Sequence, residues 1–217
     1  MTISAEASLT MDSLGNLELI GPIVRLQVQT SSLKHGGRPR SWYDPSPIRA
    51  VPALRLDDGG VTGVELREIA DVHHRDHPQS KHRPENGVSV GFTGHYRQMR
   101  SRFGGHLVDG VAGENILVDA AGIFTSADVL HGFVIVSACG PIALTSVEYA
   151  KPCVEFSKFC SGYARDRRPD LVITETLQFL NLGTRGFYAT LEPTPGAPGA
   201  PPPRVALGDL VYRRLPD

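Results

Sequence analysis

Residues 107–119 read LVDGVAGENILVD, a strand-like run of Val, Leu and Ile broken by a glycine turn. Apolar β-branched residues fit a pleated, half-buried surface, and a glycine inside such a run marks a reversal or a close approach of backbone. The same pattern extends outward in both directions. Upstream, Leu17 to Thr30 (LELIGPIVRLQVQT) reads as one or two strands. There Val24, Leu26 and Val28 alternate with Arg25, Gln27 and Gln29, a period of two that buries one face. Residues 53–66 (ALRLDDGGVTGVEL) read as a hairpin turning at Asp58-Gly59. Downstream, Phe133–Ala138 and Ile142–Val147 flank a turn at Cys139-Gly140-Pro141. Gly186–Leu191 reads as a strand, and Arg204–Leu215 as a final strand or strand pair turning at Gly208-Asp209. With Gly 23 and Pro 17, so many short runs favour a turn-rich β fold over a helical bundle.

Helical signals are few. Thr93 reads as an N-cap, Tyr96, Met99 and Phe103 share one helical face, and Gly104 is the stop, with Arg97, Arg100 and Arg102 on the other side. Ser126–Leu130 reads as a single helical turn. Lys151–Gly162 reads as a helix with Pro152 at its first position, and Leu171–Leu182 as another ended by Gly183. The fold class expected is mainly β with peripheral helices, an α+β chain. Residues 1–16 are expected to be a flexible tail and residues 17–217 a single domain. Residues 192–203 (EPTPGAPGAPPP) form a Pro-rich loop, and 165–170 a charged connector. The punctuated loop over residues 31–52 is expected to be pinned to the body by Trp42 and Tyr43.

A formal charge of −1 with interspersed signs gives no footprint for nucleic acid. FVIVSAC (133–139), the longest apolar run, is too short to span a bilayer, and the first residues lack the basic and apolar regions of a secretory leader. Three cysteines without framework spacing read as reduced thiols. The expectation is a cytoplasmic protein with no nucleic-acid or membrane partner.

Three stretches could carry chemistry. Cys153 follows a proline at an expected helix start, with Lys151 two residues earlier; helix N-termini and nearby cations favour a thiolate, which is both nucleophile and soft-metal ligand. The plain alternative is a buried structural cysteine. Cys160, two turns on, is too distant for a disulfide within one helix, and Cys139 is expected to be packing. The second stretch holds Asp71, His73, His74, Asp76, His77 and His82. His73 and His77 have i, i+4 spacing, but Pro78 and Pro84 argue for a loop. It reads as a solvated loop, as a metal site, or as one wall of a pocket whose imidazoles meet an anionic ligand. The third is Gly113-Glu114-Asn115, which alone is a structural turn.

In order along the chain, Gly113-Glu114-Asn115, Lys151-Pro152-Cys153, Arg185-Gly186-Phe187-Tyr188 and Gly208-Asp209 resemble the motif set of the MOSC domain, the family named for the C-terminal domain of molybdenum cofactor sulfurases. The match spans about residues 105–213. The resemblance implies a β-barrel-like domain with peripheral helices. It implies a pocket for a molybdenum–pterin cofactor (molybdopterin) or a sulfur species, with Cys153 as catalytic thiolate, metal ligand or persulfide carrier. Glu114, Asn115, Lys151, Arg185 and His77 are the cofactor-binding candidates, with Arg100 or Arg102 as further phosphate partners. Stand-alone members are similar to oxidoreductases that reduce N-hydroxylated compounds. Such a protein takes electrons from an external donor, or sulfur from a donor protein. No GxGxxG in a strand–helix context offers an internal nucleotide or flavin site. The chain departs from the family in two places. Lys151 stands where many members have Arg, and the early glycine-aspartate segment is replaced by the His-rich stretch. Pyridoxal phosphate is associated with the family only through a separate domain of the sulfurases, and no site for it is read here. Two other readings stand beside this one: a non-catalytic module binding a small anion, and a metal-dependent hydrolase using His73, His74 and His77.

Overall fold

The structure, a computed structural model, describes residues 16–37, 40–164, 168–192 and 201–216. Most of the expected tail, residues 165–167 of the connector and residues 193–200 of the Pro-rich loop lie outside these. In chain order the strands are β1 (Leu17–Gln29), β2 (Lys34–His35), β3 (Trp42–Tyr43), β4 (Ile48–Ala50), β5 (Ala53–Asp57), β6 (Gly60–Val64), β7 (Glu68–Ala70), β8 (Val88–Phe92), β9 (Ile116–Val118), β10 (Phe133–Ser137), β11 (Gly140–Tyr149), β12 (Phe187–Leu191), β13 (Arg204–Ala206) and β14 (Leu210–Arg214). Three helices join them: α1 (Thr93–Phe103), α2 (Val154–Cys160) and α3 (Leu171–Leu180). None is long and apolar enough to cross a membrane.

One sheet runs β14-β10-β11-β12-β8-β9-β1, and β14 pairs again with β1, closing a seven-stranded barrel. Closure removes the edges that an open sheet would expose. The far half of β1 continues beyond the barrel to pair with β4. A second sheet, β13-β5-β6-β7, sits beside it. The mainly-β α+β class expected from the sequence is therefore the one observed.

Every barrel pairing is antiparallel except β8 with β9. A parallel pair needs a long crossover, and α1 with the loop through Gly113-Glu114-Asn115 supplies it. Thr93 is the first helical residue rather than the cap, a place taken by Phe92. The Thr93 hydroxyl donates to Asp119 and accepts from Ala120 N–H, tying α1 to the end of β9. Tyr96 and Met99 are buried as their spacing predicts. The barrel interior is filled by Leu26, Val28, Phe92, Phe133, Phe187 and their neighbours. Each such side chain contributes roughly 1.5–3 kcal/mol by leaving water. A second cluster, Tyr43, Tyr96, Met99, Phe156, Cys160 and Leu180, seats the helices and the pinned loop.

Several details depart from the sequence reading. Val24 is 46% exposed while Leu26 and Val28 are buried, because β1 shifts register between Ile23 and Arg25. One extra residue flips every side chain beyond it to the other face. The β5–β6 hairpin forms as expected, but the positive φ falls on Gly60 and not on Asp58-Gly59. Residues 126–130 are turn rather than helix. β13 and β14 do not pair with each other; they belong to different sheets. Cys139, expected to pack, is exposed at the β10–β11 turn. The helix expected over 151–162 begins at Val154, with Cys153 as its N-cap and Pro152 outside it.

Candidate functional site

One end of the barrel collects the C-terminal ends of β1 and β11 and the N-terminal ends of β8, β9 and β12. The registers fix this: Glu148 pairs with Tyr188, Tyr188 with Ser89, Val90 with Ile116, and Ile116 with Leu26. A bulge in β11 between Thr145 and Glu148, with Ser146 at φ +51, lies directly before the residues β11 gives to this end. Bulges gather at such rims because they re-aim the side chains that follow.

A cleft of about 340 Å³ opens here. Its lining includes Lys34, Lys81, Arg83, Lys151 and Arg185, against only two acids, Glu85 and Glu148. Among the described residues none of the five cations has an acidic partner at salt-bridge distance. Burial, together with the neighbouring Lys34 ammonium, holds Lys81 below the ordinary lysine range. Its Nζ donates to Ser32 Oγ at 2.6 Å. Unneutralised like charges converging on one cleft are costly unless an anion joins them, and the arrangement suits one. Gln29, His73, Tyr43, Tyr149 and Tyr188 complete the polar wall.

Behind the cleft, and sharing Gln29, Arg185 and Tyr188 with it, lies a cavity of about 20 Å³ that also reaches Glu114. That is room for about one water. Glu114 is fully enclosed. Tyr96 Oη donates to its Oε2 at 2.9 Å, while its Oε1 and the Nε of Arg185 have no partner. Burial raises the Glu114 carboxyl to about 7, against the opposing pull of Tyr96, its own backbone N–H, Arg185 and Arg25. Gly91 and Gly113 leave the space this needs. A Cβ on Gly91 would sit 2.9 Å from the Glu114 carboxylate, and Gly113 has φ +87 with Gln29 and Leu33 pressed against it.

The candidates named from sequence fall in different places. Lys151 and Arg185 line the cleft. Glu114 lines the small cavity behind it. Asn115 lines neither: its Oδ1 accepts from Ser89 N–H and hydroxyl, and its Nδ2 donates to Gln27 O and Asp71 Oδ2. His77 also lies outside, with Nε2 at Thr30 O. Arg100 pairs with Asp109, and Arg102 lies over the rings of Phe103 and Phe179, so neither reaches the cleft. His73, His74 and His77 have separate partners (Asp71, Asp57 and Thr30), and among the described residues no group of three His, Cys, Asp or Glu is placed to hold a metal.

Cys153 is half-buried and lines neither cavity. It is nonetheless close to the site, within electrostatic range of Tyr43 and Arg185, two residues of the cleft wall. Its thiol is within hydrogen-bonding reach of Glu155. Burial works against the Glu155 carboxylate, but the Ser41 hydroxyl, its own N–H, Lys34 and this thiol together hold it below the usual range. Cys160 is a different case, buried and pushed up to about 12 by desolvation. Arg185 stays charged despite burial, held by Tyr188, Cys153 and Tyr43 around it.

Sequence reasoning missed Lys34, Lys81 and Arg83. They come from the 31–52 loop and the His-rich stretch, with nothing local to mark them.

No family model matches the sequence, and no curated protein matches it. Solved structures do. The chain is similar to the YuaD protein from Bacillus subtilis, with TM-score 0.54 and 15% identity over 90% of this chain and 96% of that one. It is also similar to a structure described as a hypothetical protein, with TM-score 0.51 and 14% identity over 90% of this chain and 66% of the other. At such identities the likeness is one of fold, a mainly-β α+β barrel.

Proposed function

We propose that this chain is a MOSC-domain protein whose cationic cleft takes the anionic end of a molybdenum–pterin cofactor, with Cys153 beside it as thiolate ligand or sulfur carrier. The observation that carries the reading is the convergence, on one cleft of about 340 Å³, of five cations without acidic partners among the described residues. That volume is at the small end of ordinary ligand sites. The residues fit the phosphate of such a group: Lys34, Lys81, Arg83 and Lys151 as rim charges, Arg185 as the inner one, its Nε still without a partner. Lys151 carries charge but not the two-pronged grip of an arginine. The cofactor, when bound, would supply two-electron chemistry on small N-hydroxylated substrates, with electrons from a separate donor. Glu114, titrating near neutrality behind Arg185, would hold or release a proton at the inner end.

Protein made in a host with the cofactor pathway intact should carry molybdenum, and Cys153→Ala should carry far less. Equal content in the two would remove the ligand role. A second reading, a small-anion-binding module without catalysis, is favoured by Cys153 lining neither cavity. Cyanide separates it from a sulfur carrier: a Cys153 persulfide gives up its outer sulfur as thiocyanate and returns to the thiolate, whereas a plain thiol releases none.

A further inference from the structure

Asp71 is 1% exposed and accepts four hydrogen bonds. Gln29 N–H reaches Oδ2 at 2.6 Å and Asn115 Nδ2 reaches it at 3.0 Å. His73 N–H reaches Oδ1 at 2.9 Å, and His73 Nδ1 lies 2.9 Å from the same oxygen. Both oxygens already take N–H donors, so the carboxylate acts as an acceptor and His73 Nδ1 carries the hydrogen. Among the described residues the other ring nitrogen, Nε2, has no hydrogen-bond partner. The side chain is 23% exposed, and the surface it exposes belongs to the cationic cleft. His74 serves as a contrast. Its Nδ1 accepts from Asp76 N–H and its Nε2 faces Asp57, so both nitrogens are spent on the fold.

We propose that His73 contacts the anionic ligand of the cleft through Nε2, and that the buried chain Asn115–Asp71–His73 sets the imidazole for that contact. The ligand class is a phosphate- or sulfate-like oxyanion, or an ester of one. The inference rests on the reading of the cleft as an anion site and adds one residue to it. It also gives Asn115 of the Gly-Glu-Asn triplet a positioning role, one step removed from the ligand. Asp71 accepts the Nδ1 hydrogen, so Nε2 donates to the oxyanion only when it carries a second hydrogen; the ring then donates inward to Asp71 and outward to the ligand. The other charged groups lining the cleft with His73 are Lys34 of β2, Lys81, Arg83 and Glu85 of its own stretch, Glu148 of β11, Lys151 just after β11 and Arg185 just before β12. An oxyanion in the cleft gives that second hydrogen an acceptor. Ligand binding and proton uptake are therefore coupled.

Calorimetric titration of the full chain with sulfate tests this. Sulfate keeps its charge near neutrality, so any proton taken up goes to the protein. At pH 6, in two buffers of different ionisation enthalpy, the wild type should bind with proton uptake. His73→Gln should bind about tenfold more weakly and lose the uptake. Lys81→Ala should bind more weakly and keep it. Equal affinity and equal uptake in wild type and His73→Gln, with Lys81→Ala still weakened, overturns the role of His73 and leaves the anion cleft standing. No sulfate binding by the wild type overturns both. An independent readout is the side-chain nitrogen spectrum of His73 at pH 8 in the unmutated protein. A hydrogen on Nδ1 is expected, and a hydrogen on Nε2 alone would overturn the relay.

Discussion

Glu114 and His95 are both enclosed, and each opposes its own charging. Burial lifts the Glu114 carboxyl from 4.5 to about 7 and lowers the His95 imidazole from 6.5 to about 4. Phe124 N–H donates to His95 Nε2 at 2.9 Å, which needs the neutral ring. Between pH 4.5 and 7 the folded chain keeps a proton on Glu114 that the unfolded chain has lost, so this group's contribution falls as pH rises. Between pH 6.5 and 4 the unfolded chain protonates His95 and the folded chain does not, so this contribution is lost as pH falls. Each amounts to about 3 kcal/mol at its limit, with opposing slopes where the windows overlap. Glu114→Gln should therefore gain stability relative to wild type on going from pH 5 to pH 8, by up to about 3 kcal/mol in urea unfolding. A difference that stays constant between the two pH values would rule this out. His95→Gln should show the reverse dependence, holding its stability better than wild type as pH drops from 7 to 5. At this scale the motifs singled out Lys151 and Arg185, which line the cleft. It could not find that Asn115 is spent on Ser89, Gln27 and Asp71, since those partners lie 26 to 88 residues away.

Elements were legible where a single face is buried and illegible where two backbones touch. The alternation in β1 predicted a strand but not the register shift that exposes Val24, because a bulge is set by the partner strand β9. β8 was missed altogether. Its five residues include Ser89 and Gly91 and follow Gly87, a weak signal that only pairing with β12 and β9 turns into a strand. Gly94, inside α1, shows how close contact overrides propensity. Alanine is the better helix former by about 1 kcal/mol. A Cβ at Gly94 would lie 2.0 Å from Gly122 O, a backbone atom that cannot swing aside. Gly94→Ala should thus destabilise by about 2 kcal/mol or more, opposite in sign to the propensity. Chemical denaturation measures it, and a variant as stable as wild type would mean that the loop after β9 yields more easily than its packing suggests.

The whole molecule depends on a contact between the two ends of the described chain. Leu17–Pro22 of β1 pairs with Leu210–Arg214 of β14, which also pairs with Phe133–Val136 of β10. Pairings that far apart in sequence leave no local trace, which is why the sequence suggested a β-rich class but not barrel closure; the resemblance supplied that. Closure also shapes the site, since the consecutive strands β11-β12-β8-β9-β1 whose ends surround it are held in the curve of a ring by β14 and β10. Removing residues 208–217 takes out β14 with its buried Val211 and leaves β1 and β10 as facing open edges. A domain has about 5–15 kcal/mol in hand, and losing two strand pairings with their share of the core should exceed it. The truncated chain should lose its cooperative urea transition and, with it, sulfate binding at the cleft. Ser137, at the far end of β10 from the cleft, gives the control: its hydroxyl bonds only within the β10–β11 turn, so Ser137→Ala should lower stability by about 1 kcal/mol and leave sulfate affinity unchanged. A truncated chain that still unfolds sharply and still binds sulfate would show that the six remaining strands hold the cleft without a closed ring.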